Sequence, residues 1–247
     1  MTDFVKGMIY FMAGFRHLAT KGLKRFIILP IAFNFLLFAG LFYLIYHYVF
    51  PYSYYLTSYL PSWMNFLNSL FLVIFALCFF LLFLSMFTVL FNIVAAPFNG
   101  LLAEKTQNLL YQSKIPVLSL TQITLRSIKR QGQFLAYFLP RFFGMVILFF
   151  VPFIHFIYPF LWLLFTAWIL SIQYQDFVMD NNLINFSEMR QKVGEKTMLS
   201  LGFGLAINFL SFVPVLNLLT LPAAVIGGVI FYCEERQKKS SNLSTIS

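Results

Sequence analysis

Ala95-Ala96-Pro97-Phe98-Asn99-Gly100-Leu101-Leu102-Ala103-Glu104 closes the longest run in the chain without Asp, Glu, Lys or Arg. From 26 to 103 there is no Asp, Glu, Lys or Arg, 78 residues in all, and charge returns only at Glu104 and Lys105. A helix needs about 20 apolar residues to cross a bilayer, so the run holds two spans. Pro97 and Gly100 break the second of them just before the charges return. Proline removes a backbone donor, and glycine permits backbone shapes closed to other residues. At membrane depth, peptide groups bared in this way persist only where they line a polar cavity or are buried in protein. The plainer alternative is a helix end at the interface.

Composition points the same way. The 247 residues are 60% hydrophobic, 20% aromatic and 10% charged, with a mean hydropathy of +0.82. Soluble domains carry about 25% charged residues. The chain therefore reads as an all-α integral membrane protein, with 1–247 a single membrane domain. The net charge of +9 does not point to nucleic acid, because the basic residues flank apolar runs. Membrane topology and anionic lipid explain them first, and a basic mouth that attracts an anion is the sharper reading. Cys78 and Cys233 form no metal-ligand spacing and no disulfide framework. No cofactor or metal is expected.

Residues 1–25 carry Lys6, Arg16, Lys21, Lys24 and Arg25 against Asp3. Phe4, Met8, Ile9, Phe11, Met12, Phe15 and Leu18 recur at near-helical spacing, which predicts an amphipathic helix on the cytoplasmic face of the membrane. Residues 26–50 then form one span, read as an uncleaved anchor, and 66–96 a second. Between them 51–65 is rich in tyrosine and uncharged, as suits the headgroup layer. Residues 104–141 hold six basic residues against Glu104. The positive-inside rule puts the N-terminus and 104–141 in the cytoplasm.

Residues 142–175 are again free of Asp, Glu, Lys and Arg, with Pro152 and Pro159 near the middle, and 197–233 repeat the pattern with Pro214 and Pro222. Two full spans and a turn need more than about 40 residues. Runs of 34 and 37 residues broken at the centre predict two proline-broken helical hairpins, each entering and leaving on one side. Short, tilted full spans are the alternative. The segment 176–196 between them is polar, and 234–247 is a serine-rich tail, which places the C-terminus in the cytoplasm as well.

No catalytic constellation is present. His17, His47 and His155 stand apart, and neither a nucleophile elbow nor a phosphate-binding glycine loop occurs. The chain is not read as an enzyme. What remains suits an anion. Gly22-Leu23-Lys24-Arg25 stands just before a long helix, whose N-terminus offers free N–H groups and about half a positive charge. Anchoring Lys24 and Arg25 to lipid phosphates is the plainer reading. Glu104 is the only acid between Asp3 and Asp176. It either pairs with Arg126, Lys129, Arg130 or Arg141, or titrates beside a basic pore mouth. Asn34 and Asn92 either bond between helices or line a hydrated path.

At these residues the chain resembles the CysZ-type sulfate permeases of bacteria. The resemblance rests on Gly22-Leu23-Lys24-Arg25-Phe26-Ile27-Ile28-Leu29-Pro30 with Asn34, on the decapeptide ending in Glu104, and on Lys129-Arg130. It continues through Tyr137-Phe138-Leu139-Pro140-Arg141, Asp176, Asp180-Asn181 and Glu188-Met189-Arg190, and covers roughly 5–235. Lys24 stands where the family usually has arginine, which keeps the charge and loses the planar fork. The resemblance implies an inner-membrane sulfate permease that supplies sulfate for cysteine biosynthesis, with sulfite beside sulfate as a ligand, acting as a channel or a proton-coupled carrier. It implies sulfate binding at Gly22, Leu23, Lys24 and Arg25 and a translocation core at Asn99, Gly100 and Glu104, to which Arg130 and Arg141 are joined. It also implies two long transmembrane helices, partly inserted hairpins and a homo-oligomer among membrane lipids. The alternative function is a non-transporting membrane-shaping or scaffold protein, which the amphipathic N-terminus would serve.

Overall fold

Helix is the only regular structure found among the described residues of the computed structural model, which are 2–44, 46–47, 51, 70, 73–74, 77, 97–113, 115–116 and 119–244. The chain divides into two compact units, Met1–Ile27 with Ala96–Ser247, and Ile28–Ala95. In the second unit, the described part of helix α2 (Lys24–Leu44) leaves Ile28, Phe35, Leu36 and Phe42 exposed. Such a surface needs lipid or protein over it. The second span expected at 66–96, the loop 51–65, Cys78 and Asn92 lie outside the described residues but for isolated positions, as does the Asn34 side chain.

The first unit opens with α1 (Asp3–His17). Helix α3 covers 97–111 among the described residues, with Pro97 and Gly100 in its first described turn. Helix α4 (Leu120–Phe149) starts in a capping box: the Ser119 hydroxyl accepts from Gln122 N, and the Gln122 side chain accepts from Ser119 N. A 3-10 turn, Pro152–Ile154, leads to α5 (Tyr158–Asn181), with Pro159 in its first turn. Next come α6 (Phe186–Glu195), α7 (Thr197–Ser211) and α8 (Pro214–Ser244).

Three of the four expected proline breaks therefore sit at helix starts or turns. The fourth does not: Pro222 lies inside α8, which continues past it to Ser244. A proline costs its helix one hydrogen bond, and surrounding packing can hold the rest. Counting uncharged residues also underestimated the arms. The helices run on into their charged flanks, so α4 and α8, at 30 and 31 residues, are each about 45 Å long. Among the described residues the helix long and apolar enough to cross a membrane is Thr121–Phe149.

The core of this unit is built on glycine. Side chains added at Gly7 and Gly202 would collide with the backbone of Leu199 and of Phe4, so α1 and α7 touch main chain to main chain. Gly14 meets Ala223 of α8 in the same manner, Gly204 meets Ala167 of α5, and Gly228 meets Tyr174. In lipid there is no hydrophobic force between helices, and close backbone approach through small residues replaces it. The spacing that predicted a membrane-facing α1 therefore also serves protein packing: Tyr10 and Phe11 are buried, and Phe11 meets Phe203 edge to face. Val5, Ile9 and Met12 are left exposed.

One carboxylate ties three helices together at the polar end of the bundle. Glu235 of α8 pairs with Lys6 of α1 at 2.9 Å, with Lys238 at 3.0 Å and with Lys196, which caps α7, and accepts from Tyr10 Oη at 2.7 Å. Burial pushes this carboxyl up, but the donors from Lys196, Lys6, Tyr10 and Lys238 outweigh it and hold it well below the usual range. Because the folded pKa is depressed, the stability it contributes is whole above the ordinary glutamate range and is lost only in strong acid.

Two substitutions test the packing. A Cβ at Gly204 would stand 1.7 Å from the Ala167 carbonyl oxygen, so Gly204→Ala should cost about 3 kcal/mol or more. Gly132, which has nothing within 4 Å, should accept alanine without loss. Thermal unfolding in detergent reads both.

Candidate anion site

The last turns of α5 hold two aspartates on one face, Asp176 and Asp180, and the first half of α4 holds two arginines on one face, Arg126 and Arg130. Residues four apart are neighbours on a helix, so the two helices meet as two cations against two anions. Arg130 Nε donates to Asp176 Oδ1 at 2.7 Å and Oδ2 at 3.0 Å, and Arg130 Nη2 lies 2.6 Å from Oδ1. Both side chains are about nine-tenths buried. Arg126 Nη2 reaches Asp180 Oδ1 at 2.8 Å and the Asp180 carbonyl at 3.1 Å. Arg130 Nη1 lies 4.0 Å from Asp180 Oδ1, so the four side chains form one network. The Phe186 ring of α6 sits 5.3 Å from the Arg130 guanidinium.

The broken stretch of the sequence comes to the same place. Asn181 Nδ2 donates to the Gly100 carbonyl at 2.8 Å, and Gln107 and Asn182 exchange amide hydrogen bonds at 2.9 and 3.3 Å. Gly100 thus shares a cavity of about 30 Å³ with Arg126, Arg130, Asp176 and Asp180. That volume holds a water or two. Leu183, which closes α5, sits at φ +60°, a left-handed cap normally given to glycine. The Ile184 N–H to Met179 carbonyl bond completes that cap and fixes the asparagines beside it.

Burial pushes the Asp176 carboxyl up to about 6, against the hydrogen bonds and charge of Arg130, with Asp180 adding to the rise. At neutral pH it is an anion. Because its folded pKa lies above the ordinary aspartate value, it favours the fold on the acid side, and that contribution falls as pH rises to about 6.

Of the residues singled out in the sequence, Gly100 and Arg130 meet in this cavity. Asn99 and Glu104 are half-buried on α3 beside it. Among the described residues Glu104 has neither hydrogen bond nor ion pair, and Asp176 and Asp180 hold Arg126 and Arg130, two of the four partners expected for it. Arg141 stands apart, eleven residues or about 16 Å along α4 from Arg130. It is exposed, with its guanidinium 3.6 Å from the Tyr137 ring centre and Nη1 on the Tyr137 carbonyl. Arg126, Asp176, Asp180 and Asn181 were not singled out as site residues. The signal was available: like charges four apart on one helix, answered by opposite charges four apart on another.

The second place is the start of α2. Gly22 has φ +97°, which only glycine adopts at little cost. The turn it makes buries Leu23 completely and leaves Lys24 and Arg25 exposed at the helix N-terminus, without ion pairs among the described residues. Gly22 lies against Leu109. Leu109 is nine residues along α3 from Gly100, about 14 Å of helix, with Glu104 between them.

A helical protein of membrane composition, with exposed cations on a helix N-terminus and a buried arginine held by an aspartate, has the features expected of proteins that handle anions at a membrane. The chain belongs to the family described as sulfate transporter CysZ/etoposide-induced protein 2.4, whose model matches residues 10–222. Relatives named sulfate transporter CysZ agree with it over nearly their whole length. One from Pectobacterium atrosepticum is 36% identical over 241 residues, 96% of this chain and 88% of its own. Two from Pseudomonas fluorescens strains are 36% and 40% identical, each over 94% of this chain and 94% and 92% of their own. The family read from the motifs is thus the right one, and the relatives carry a transporter's name.

Stability separates the two carboxylates. Asp176→Ala, which strands a buried guanidinium, should cost about 3–5 kcal/mol. Glu104→Gln should change stability by less than about 0.5 kcal/mol. Melting temperatures of the two purified variants check this.

Proposed function

We propose that the chain is a permease of the bacterial inner membrane that passes sulfate inward for cysteine synthesis, with sulfite as a second ligand. The observation that carries this reading is the pair of exposed cations at the start of α2, in a family whose curated relatives are named sulfate transporters. A tetrahedral dianion meets there the N–H groups of Lys24 and Arg25, the positive end of α2, and the charges of the same two side chains, while the Leu23 and Phe26 N–H groups are taken by Thr20 and Leu23 carbonyls. Leu23, fully buried, pins the turn. The anion passes along α3, by Glu104 and Asn99, between the start of α2 and the place where Gly100 and Arg130 meet. The path is short, the helix that lines it joins both places, and a hydrated dianion finds cations at either end.

Membrane placement follows the charge bias, with the N-terminus, 104–141 and the C-terminus on the cytoplasmic side and the hairpins embedded. Phe153 and Phe156 in the first hairpin turn are 96% and 93% exposed, and Phe212 in the second is 75% exposed. Lipid or further copies of the chain cover such rings, which supports a homo-oligomer in the bilayer. Moving a dianion into a negative cell costs about 2.3 kcal/mol per charge per 100 mV. Inward flow therefore needs either consumption of sulfate inside or a coupled proton.

The test is uptake of radiolabelled sulfate by liposomes containing this protein alone, with chloride and phosphate as competitors. Saturable uptake that neither competitor blocks is expected. Replacing Lys24 and Arg25 together by alanine should remove several kcal/mol of binding, at about 1.5–3 kcal/mol for each charged hydrogen bond. Absence of uptake by the wild-type protein overturns the permease reading in favour of a membrane-shaping role. An unchanged affinity in the double variant reduces the pair to a lipid anchor.

A further inference from the structure

Helix α4 carries Arg126, Arg130 and Arg141, and α6 carries Arg190. The aspartates of α5 hold the first two. Arg141 and Arg190 have no ion pair among the described residues, and they share one aromatic ring. The Arg141 guanidinium lies 3.6 Å from the centre of Tyr137, and the Arg190 guanidinium 5.0 Å from it. Arg190 also stands 5.6 Å from the Phe186 ring, and its Nε is buried without a hydrogen-bond partner. The ring between them is fixed, because the Tyr137 hydroxyl accepts from Trp168 Nε1 at 3.0 Å. The acid nearest in sequence, Glu188, is two residues from Arg190, on another side of the helix, and pairs with Lys192 at 2.8 Å. Two cations gathered on one ring repel each other, and the chain brings no carboxylate to offset them.

The depth of the pair says what anion is at hand. Arg141 is the last charged residue of α4, and 34 residues without Asp, Glu, Lys or Arg follow it. From Arg141 to Phe150, which caps the helix, is nine residues, about 14 Å of helix. Half the hydrocarbon of a bilayer is about 15 Å thick. A first hairpin whose exposed Phe153 and Phe156 reach the middle of the bilayer therefore holds Arg141 at the phosphate level of the leaflet it enters from. Tyrosine and tryptophan such as Tyr137 and Trp168 favour that layer. Leu139 and Phe143, on either side of Arg141 in sequence, are exposed and offer apolar surface to an acyl chain.

We propose that Arg141 and Arg190 together bind the phosphate of an anionic phospholipid of the cytoplasmic leaflet, which joins α4 to α6 across the Tyr137 ring. Stacking on the ring occupies the faces of the guanidinium groups and leaves their N–H edges for phosphate oxygens, which the planar fork fits. Arg141 spends one N–H on the Tyr137 carbonyl at 2.8 Å and keeps the others. Two cations against one phosphodiester leave a positive charge over, so a headgroup without a cation of its own suits the site best. The inference draws on the membrane placement above and not on the passage of sulfate.

The experiment is thermal unfolding of the full chain in a non-ionic detergent, titrated with phosphatidylglycerol, phosphatidylcholine, diacylglycerol or inorganic phosphate. A ligand of the folded state raises the melting temperature with its concentration. Phosphatidylglycerol should do so saturably, phosphatidylcholine should need several times more, and the other two should have no effect at the same concentrations. The half-saturating concentration of phosphatidylglycerol should rise roughly tenfold in R141Q and in R190Q. R236Q, which removes an exposed cation at the polar end of the bundle, should leave it unmoved. A wild-type protein that phosphatidylglycerol does not stabilise overturns the proposal. So does an equal response to diacylglycerol, which makes the site one for acyl chains, to inorganic phosphate, which makes it one for free oxyanions, or to phosphatidylcholine. An R236Q protein shifted as far as R141Q overturns it as unspecific attraction of charge. If R190Q does not fold, R141Q decides, because its side chain is exposed, and an unchanged half-saturation in that variant overturns the proposal. Sulfate uptake is not read here, so this inference and the permease reading fail separately.

Discussion

A buried guanidinium needs a counter-ion, and in this chain Arg130 has one in Asp176. Removing two charges from water costs several kcal/mol per ion, and only a well-made pair offsets it. Most of what surrounds the pair serves to place it. Helix α5 is held by α7 and α8 through glycine contacts, so its last turns present Asp176 and Asp180 at a fixed level. The Leu183 cap stops the helix there and turns Asn181 and Asn182 onto α3. The capping box at Ser119 starts α4 in a register that brings Arg126 and Arg130 opposite the aspartates. Since apolar sequence can be packed in many ways, the pair also specifies which faces of α4 and α5 meet.

The polar end of the bundle shows a second solution to the same problem. Glu235 is held by Lys6, Lys196, Lys238 and Tyr10, so its oxygens are saturated with donors. Burial raises both Asp176 and Glu235. In Glu235 the donors win, and the group stays charged through the whole physiological range. In Asp176 a single arginine leaves the balance near neutrality. The first is a clamp.

Much of this was legible in the sequence where one physical force dominated. Absence of charge after Phe26 marked the apolar helix α2, absence of charge over both later runs marked apolar helices, and the prolines at 152, 159 and 214 marked turns or helix starts. Pro222 misled because the packing of α8 against α1 and α5 outweighs the hydrogen bond it removes and the clash of its ring. The hairpin arms were underestimated because a helix does not stop where charge begins. The candidate anion site was half legible. Gly22 with Lys24 and Arg25 is a local motif, readable along the chain. The cavity is not local: Arg126 and Asp180 are 54 residues apart in sequence, and their pairing depends on how α4 and α5 rotate against each other. Glu104 attracted attention as an isolated acid. The structure leaves it without the arginine partner that its position suggested, because α5 supplies nearer carboxylates.

The measurement that tests the account most directly is sulfate uptake by the doubly neutral protein, Arg130→Gln with Asp176→Asn. The two substitutions remove both charges together, strand neither, and keep the shape of the site, so the melting temperature should stay close to wild type. The account predicts a folded protein whose sulfate uptake falls by about tenfold or more, the loss of one charged hydrogen-bonding group from the path. A folded double variant that carries sulfate at the wild-type rate would make the pair a structural fastening and contradict the account.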